Sequence, residues 1–156
     1  MDENIQQVAA TLAAAGLGGA VVELPVDVPT AATAAAELGC EVGAIANSLI
    51  FAVDGAPLLI LTSGAHRVDT RKVAALFGVS RSKVKRASPE FVLAATGQEV
   101  GGVAPAGHPS RLRTVVDVDL AGHPLLWAGG GDHHTMFSAT YADLVRITGG
   151  VEATVA

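Results

Sequence analysis

Hydrophobic positions recur along this chain at two periods. In NIQQVAATLAAA (residues 4–15), Ile5, Val8 and Leu12 fall at near-helical spacing, and Gly16, Gly18 and Gly19 follow as a stop. AVVEL then has the character of a strand, and Pro25 and Pro29 frame a loop. Thr30 is placed to cap an Ala-rich helix over 31–38, which Gly39 ends. Two almost continuously apolar runs follow, AIANSLIFAV and PLLILT, and Asp54-Gly55 between them is the strongest hairpin signal in the chain. Asn47 and Ser48 stand out in the first run, because a buried strand has no use for an unpaired amide or hydroxyl.

Beyond the loop SGAHRV, Asp69 predicts the cap of a helix running through Leu76 and closed by Gly78. Ser88-Pro89 predicts a second helix, with Pro at its first position and Gly97 at its end. The Gly/Pro-rich tract GGVAPAGHP leads to two strands, TVVDVDL and PLLWAG. GGGDHH reads as a turn before TMFSA, and the last helix starts near Ser138 or Thr140, with Asp143 as the capping-box partner of Thr140. Hairpins mixed with helices predict an α+β fold with a mixed or mainly antiparallel sheet, in one domain spanning 1–156 without repeats or linkers.

Composition narrows this picture. Half of the 156 residues are hydrophobic but only 4% are aromatic, so Ala, Val, Leu and Ile must build the core. With Cys40 as the single cysteine, no internal disulfide can form. MDENIQQ lacks the basic start and apolar stretch of a secretory signal, and no long apolar window is free of breaks, so a cytoplasmic protein away from membranes is expected. The net charge of −5 argues against a general nucleic-acid binder. Yet seven of the ten Lys and Arg residues fall between Arg67 and Arg86, where Asp69 is the only acid. That cluster is either a solvated surface or a docking patch for a polyanion.

Familiar catalytic patterns are missing. His66, His108, His123, His133 and His134 form no i, i+4 pair, and Cys40 has no cysteine partner, which speaks against a structural zinc site. There is no G-x-S-x-G; TSGAH sets Ser63 near His66, a spacing common by chance. Cys40 follows a helix end, where the dipole disfavours a thiolate, and it reads as a small buried residue. His66 reads as loop-stabilising, Asp69 as an N-cap and Trp127 as core. GGGDHH and GGVAPAG match no phosphate-loop pattern, although two glycine tracts would allow a ligand close to the backbone.

Thr30 in VPTA, the strand IANSLIF, the loop SGAHRVD, the tract GGVAPAGHP and the ending GGGDHHTMFSATYADLVRITGG occur in this order along nearly the whole chain. In this the sequence resembles the YbaK-type aminoacyl-tRNA deacylases, free-standing relatives of the editing domain of bacterial prolyl-tRNA synthetases. The resemblance implies a mixed, barrel-like β-sheet flanked by helices. It implies hydrolysis of the ester between tRNA and a wrong amino acid, a small one such as Ala or Cys on proline tRNA, with no metal or other cofactor. The substrate's own ribose hydroxyl and the glycine loop would position and activate water.

By position, the resemblance implies that Gly101 and Gly102 line the reacting ester, with His134 as a pocket histidine. Thr30, Asn47, Ser48, Pro105, Gly130 and Gly131 would contact the substrate. Arg67, Arg71, Lys83, Lys85 and Arg86 would serve the tRNA acceptor end, since phosphate contacts need only charge and reach. Prolyl-tRNA synthetase is implied as a second partner; oligomeric state is left open. Many relatives carry Lys where this chain has Asn47, and Asn has a shorter reach and no charge. That departure supports an alternative, a catalytically weak RNA- or synthetase-binding module that keeps the fold.

Overall fold

The computed structural model describes residues 3–17 and 21–156. The expected stops Gly18 and Gly19, and Ala20 at the expected strand start, lie outside the described residues. Among the described residues five helices, α1 (Glu3–Ala14), α2 (Ala31–Leu38), α3 (Thr70–Phe77), α4 (Pro89–Thr96) and α5 (Tyr141–Thr148), surround eight strands. These are β1 (Val21–Glu23), β2 (Ile45–Val53), β3 (Ala56–Ser63), β4 (Val84–Arg86), β5 (Arg113–Asp117), β6 (Leu126–Gly129), β7 (Thr135–Ala139) and β8 (Val151–Ala153).

The strands form one mixed sheet in the order β1-β7-β6-β2-β3-β5-β8, with β4 attached to β2. The β2–β3 hairpin is its spine, paired from Ala46↔Ser63 to Val53↔Ala56. Asp54 and Gly55 take φ of 50° and 83°, the two positive values that a tight type I′ turn requires. β2–β6, β3–β5 and β5–β8 are parallel, whereas β1–β7, β2–β3, β2–β4 and β6–β7 are antiparallel.

Both faces of the hairpin are covered, which explains its continuous apolar runs. On one face Leu59, Leu61 and Ile50 pack with Leu126, Phe137, Val8 and Leu12 of α1, Val92 of α4 and Leu144 of α5. On the other, Leu58, Ile60 and Phe51 pack with Val73 and Ala74 of α3 and with Val155. Each such Leu or Ile contributes about 1.5–3 kcal/mol by leaving water. A third cluster sets Ala34 and Ala35 of α2 against Val28, Ile45 and Met136.

The caps follow the sequence closely. Thr30 Oγ1 accepts from Thr33 N–H at 3.2 Å while Thr33 Oγ1 accepts from Thr30 N–H at 3.2 Å. Asp69, Ser88 and the Thr140–Asp143 pair cap α3, α4 and α5. The expected strand TVVDVDL is cut short. β5 ends at Asp117, whose carboxylate accepts the N–H of Asp119 and starts a 3-10 turn over Val118–Gly122.

Candidate functional site

The two partners of β2 on one side do not meet. Pairing with β6 covers Ile45 and Ala46, and pairing with β4 begins at Phe51. Between them Asn47–Leu49 keep β3 as their only ladder partner among the described residues. Backbone direction alternates along a strand. Ile45 C=O accepts from Gly64 on the β3 side, whereas Ile50 C=O accepts from Ala87 and Asp54 N–H donates to Lys83 on the β4 side. Even-numbered residues of β2 therefore aim their N–H and C=O away from β3. Ser48 is the even residue within the break.

A cavity of about 360 Å³ opens at this break. Its walls are mostly small and apolar, from Val28, Ala34, Ile45, Val92, Val103 and Met136, and its polar groups come from Thr30, Asn47, Ser48 and Arg86. Among the described residues none of those lining it is Asp, Glu, His or Cys, and Arg86 is the only charged one. Asn47 is half-buried, and its side chain has no hydrogen-bond partner among the described residues. Ser48 Oγ is buried without a partner among the described residues, a state that costs about 1–3 kcal/mol in a site closed to water. Arg86 is exposed, lies 5.7 Å from the Phe51 ring centroid, and has no carboxylate partner among the described residues. The polar pair that interrupts the apolar run of β2 thus sits where the strand loses its second neighbour.

The glycine tracts pack against each other, backbone on backbone. A Cβ on Gly102 would lie 2.9 Å from Asp132 C, and one on Gly129 would lie 2.8 Å from Val103 O. Gly102 donates its N–H to Glu99 O at 2.9 Å and does not line the cavity; Gly101 and Val103, on either side of it, do. Gly101 takes φ of 87°, a conformation that disfavours any side chain. Gln98, wholly buried, holds the loop by accepting Ala104 N–H at 2.8 Å.

The two adjacent histidines lie in a bend before β7 rather than on a strand. His133 meets the glycine loop: its Nε2 is 3.2 Å from Glu99 Oε2, and its Nδ1 would be 3.4 Å from a Cβ on Gly101. His134 turns to an acidic rim instead, with Glu23, Asp27 and Asp132 carboxylate oxygens at 3.4–3.5 Å, and does not line the cavity.

The structure therefore brings Thr30, Asn47, Ser48, Gly101 and Arg86 together around one cavity. Gly102, Gly130, Gly131, Pro105 and His134 lie outside its walls; Pro105 borders a second hollow of about 280 Å³ with His108 and Arg111. Of the other expected tRNA contacts, Arg71 is engaged by Asp69 and Lys83 lies 3.7 Å from Asp54, whereas Arg67 and Lys85 are exposed. Val103 and Met136 are walls that the sequence did not single out, since apolar residues in a strand or loop carry no mark of facing a cavity.

A second polar group lies at the open end of the hairpin. Asp117, 1% exposed, accepts from Ser63 N–H at 2.9 Å, from Thr62 Oγ1 at 3.4 Å and from Asp119 N–H at 3.0 Å, and its Oδ2 is 2.5 Å from His66 Nε2. His66 Nδ1 is 3.5 Å from Asp119. Ser63 Oγ donates to Gly43 O at 2.9 Å, away from His66. His66 has the loop-fastening role expected of it. Burial pushes the Cys40 thiol up, with Glu41 adding to the shift, so this residue is no ready nucleophile.

The family model described as "Aminoacyl-tRNA editing domain" matches residues 26–147. The chain is 30% identical over 125 residues to the protein YwhH of Bacillus subtilis (strain 168), covering 80% of this chain and 78% of YwhH. It is 31% identical over 121 residues to proline–tRNA ligase of Nitratidesulfovibrio vulgaris (strain DP4), covering 71% of this chain and 21% of the ligase. A crystal structure of a candidate trans-editing enzyme for prolyl tRNA synthetase superposes with a TM-score of 0.91 at 38% identity, over 99% of this chain and 98% of that one.

Proposed function

The chain belongs to the aminoacyl-tRNA editing domain family, and from that premise we propose that it is a trans-editing hydrolase for mischarged tRNA. The substrate would be a small amino acid, such as Ala or Cys, esterified to proline tRNA, and the acceptor end would be the contacting part. The observation that carries this reading is the cavity at the break in β2, small-walled and with a cation, Arg86, that has no carboxylate partner among the described residues.

The donor set supports hydrolysis by positioning. An aminoacyl ester is already activated. Water attacks its carbonyl carbon, the bond to the ribose oxygen breaks, and that oxygen takes up a proton. The neighbouring ribose hydroxyl can accept a hydrogen bond from the attacking water, so the protein needs to hold the ester and favour the developing oxyanion. Gly101 and Val103 border the cavity and are the candidate backbone donors, since Gly102 N–H is already committed to Glu99. Among the described residues the lining is free of His, Cys, Asp and Glu and so offers no metal ligand set, which supports the metal-independent form of the reaction. Small walls favour small side chains by excluding larger ones, where attraction alone would give only about 1–3 kcal/mol per methylene.

The absence of a titratable base among the described lining residues favours one other reading, a binding module for tRNA or for prolyl-tRNA synthetase. The two separate in a deacylation assay on proline tRNA charged with Ala, Cys or Ser, with cognate Pro-tRNA as control. Loss of one mischarged species with Pro-tRNA spared is the expected result. Binding of every species without hydrolysis of any would leave the module.

A further inference from the structure

We propose that the aminoacyl group docks as a single strand residue in the break of β2, with its free α-ammonium held by Ser48. This rests on the editing reading and specifies which end of the substrate the cavity recognises. Two observations on Ser48 and one on the cavity walls carry it. Ser48 is the even-numbered residue between the end of the β6 ladder and the start of the β4 ladder, so its N–H and C=O face the side on which no strand covers it. Among the described residues whose buried side-chain polar atoms lack a partner, Ser48 is the one that lines the cavity. Among the described residues the walls hold no carboxylate, and their one charged group is Arg86, so an amine there has only neutral acceptors.

A ligand that satisfies this position must present a donor and an acceptor at main-chain spacing. An amino acid esterified through its carboxyl group does so: its ammonium donates to Ser48 C=O and Oγ, and its carbonyl oxygen can accept from Ser48 N–H. The aminoacyl unit would then add one rung to the sheet, as an extended peptide does at an open strand edge. The acceptors offered to the ammonium are neutral dipoles, which leave no buried negative charge in the unliganded protein, and the one charge on the described walls, Arg86, is itself a cation and lies exposed at the rim. The small walls receive the side chain. An N-blocked amino acid has a single donor, adds bulk where the strand lies, and loses the charge-assisted contacts.

The test uses two amide-linked analogues that cannot be hydrolysed, 3′-(L-alanylamino)-3′-deoxyadenosine and its N-acetyl form, together with Ala-tRNA and N-acetyl-Ala-tRNA. The free-amine analogue is expected to shift the Ser48 backbone amide resonance and to bind at least tenfold more tightly than the acetylated one. Ser48→Ala should weaken the free-amine analogue severalfold and leave the acetylated one unchanged. A change that merely loosened the strand would weaken both alike. Equal affinity for the two analogues, or binding of neither, overturns the proposal. Amine-selective binding without hydrolysis of Ala-tRNA would sink the enzymatic reading and uphold this one. Hydrolysis of both tRNA substrates at equal rates would do the reverse.

Discussion

The β2–β3 hairpin carries two polar groupings of opposite character. At its open end, Ser63, His66 and Asp117 hold the residue types of a hydrolytic triad, and nearly every polar atom there already has a partner. Within β2, the break at Asn47–Leu49 holds no catalytic-looking residue, yet it has a cavity and, among the described residues, an unpartnered hydroxyl and a cation without a carboxylate partner. A saturated network fastens a fold; an unsaturated one is where a ligand supplies what the protein leaves open. Side-chain identity points to the first grouping, and hydrogen-bond bookkeeping points to the second.

Removing the hub of the saturated group should have the largest effect. Asp117→Ala strands donors from Thr62, Ser63 and Asp119, and should cost about 3 kcal/mol of stability, read as a lower denaturant midpoint. Gly102→Ala follows, because its Cβ would press on the Asp132 backbone. We expect a loss of about 1–3 kcal/mol together with lower activity in the protein that still folds, from unfolding curves and deacylation rates on the same sample. Arg86→Ala should leave the melting temperature unchanged and raise KM for charged tRNA about tenfold, which corresponds to about 1.4 kcal/mol. It should also reduce the salt dependence of binding. Ser63→Ala should cost about 1 kcal/mol of stability and leave kcat unaltered; a large fall in kcat would overturn the contrast between the two groupings.

The smallest effect concerns pH. Burial holds the His108 imidazole below its usual pKa, against the opposing bond from its Nε2 to Ala104 O at 2.7 Å. The folded-state value is thus below the unfolded one, so the stability His108 contributes is complete above about pH 6.5 and is lost as pH falls toward the folded value. Thermal melts of His108→Gln between pH 7 and 5 should show a shallower decline than the parent.

Local chemistry was the legible part of the sequence. Thr30, Asp69, Ser88 and Thr140 cap the helices they were expected to cap, and Asp54-Gly55 makes the expected turn. These features depend on neighbours a few residues away. β4 was not legible: VKR in a basic segment becomes a strand because β2 offers it an edge. The break in β2 could not be seen for the same reason, as it is defined by where β4 and β6 stop. Asn47 and Ser48 were the trace it left, two polar residues in an apolar run. The glycine tracts were visible, but their close packing on each other was not. Nor was the turning of His134 toward Glu23 and Asp27, which depends on where β1 comes to lie.

The cavity walls run from Val28 to Met136, and the two strands that frame the break arrive from residues 84–86 and 126–129. A chain lengthening from its N-terminus can close the β2–β3 hairpin early, because that pairing is local. Ala46 must wait for Ala128, and closing so long a segment is entropically slow. Until the β6–β7 hairpin docks, there is an open strand edge and no enclosure. Affinity for a ligand would therefore appear late and abruptly during folding, and the ligand would select completed molecules from unfinished ones.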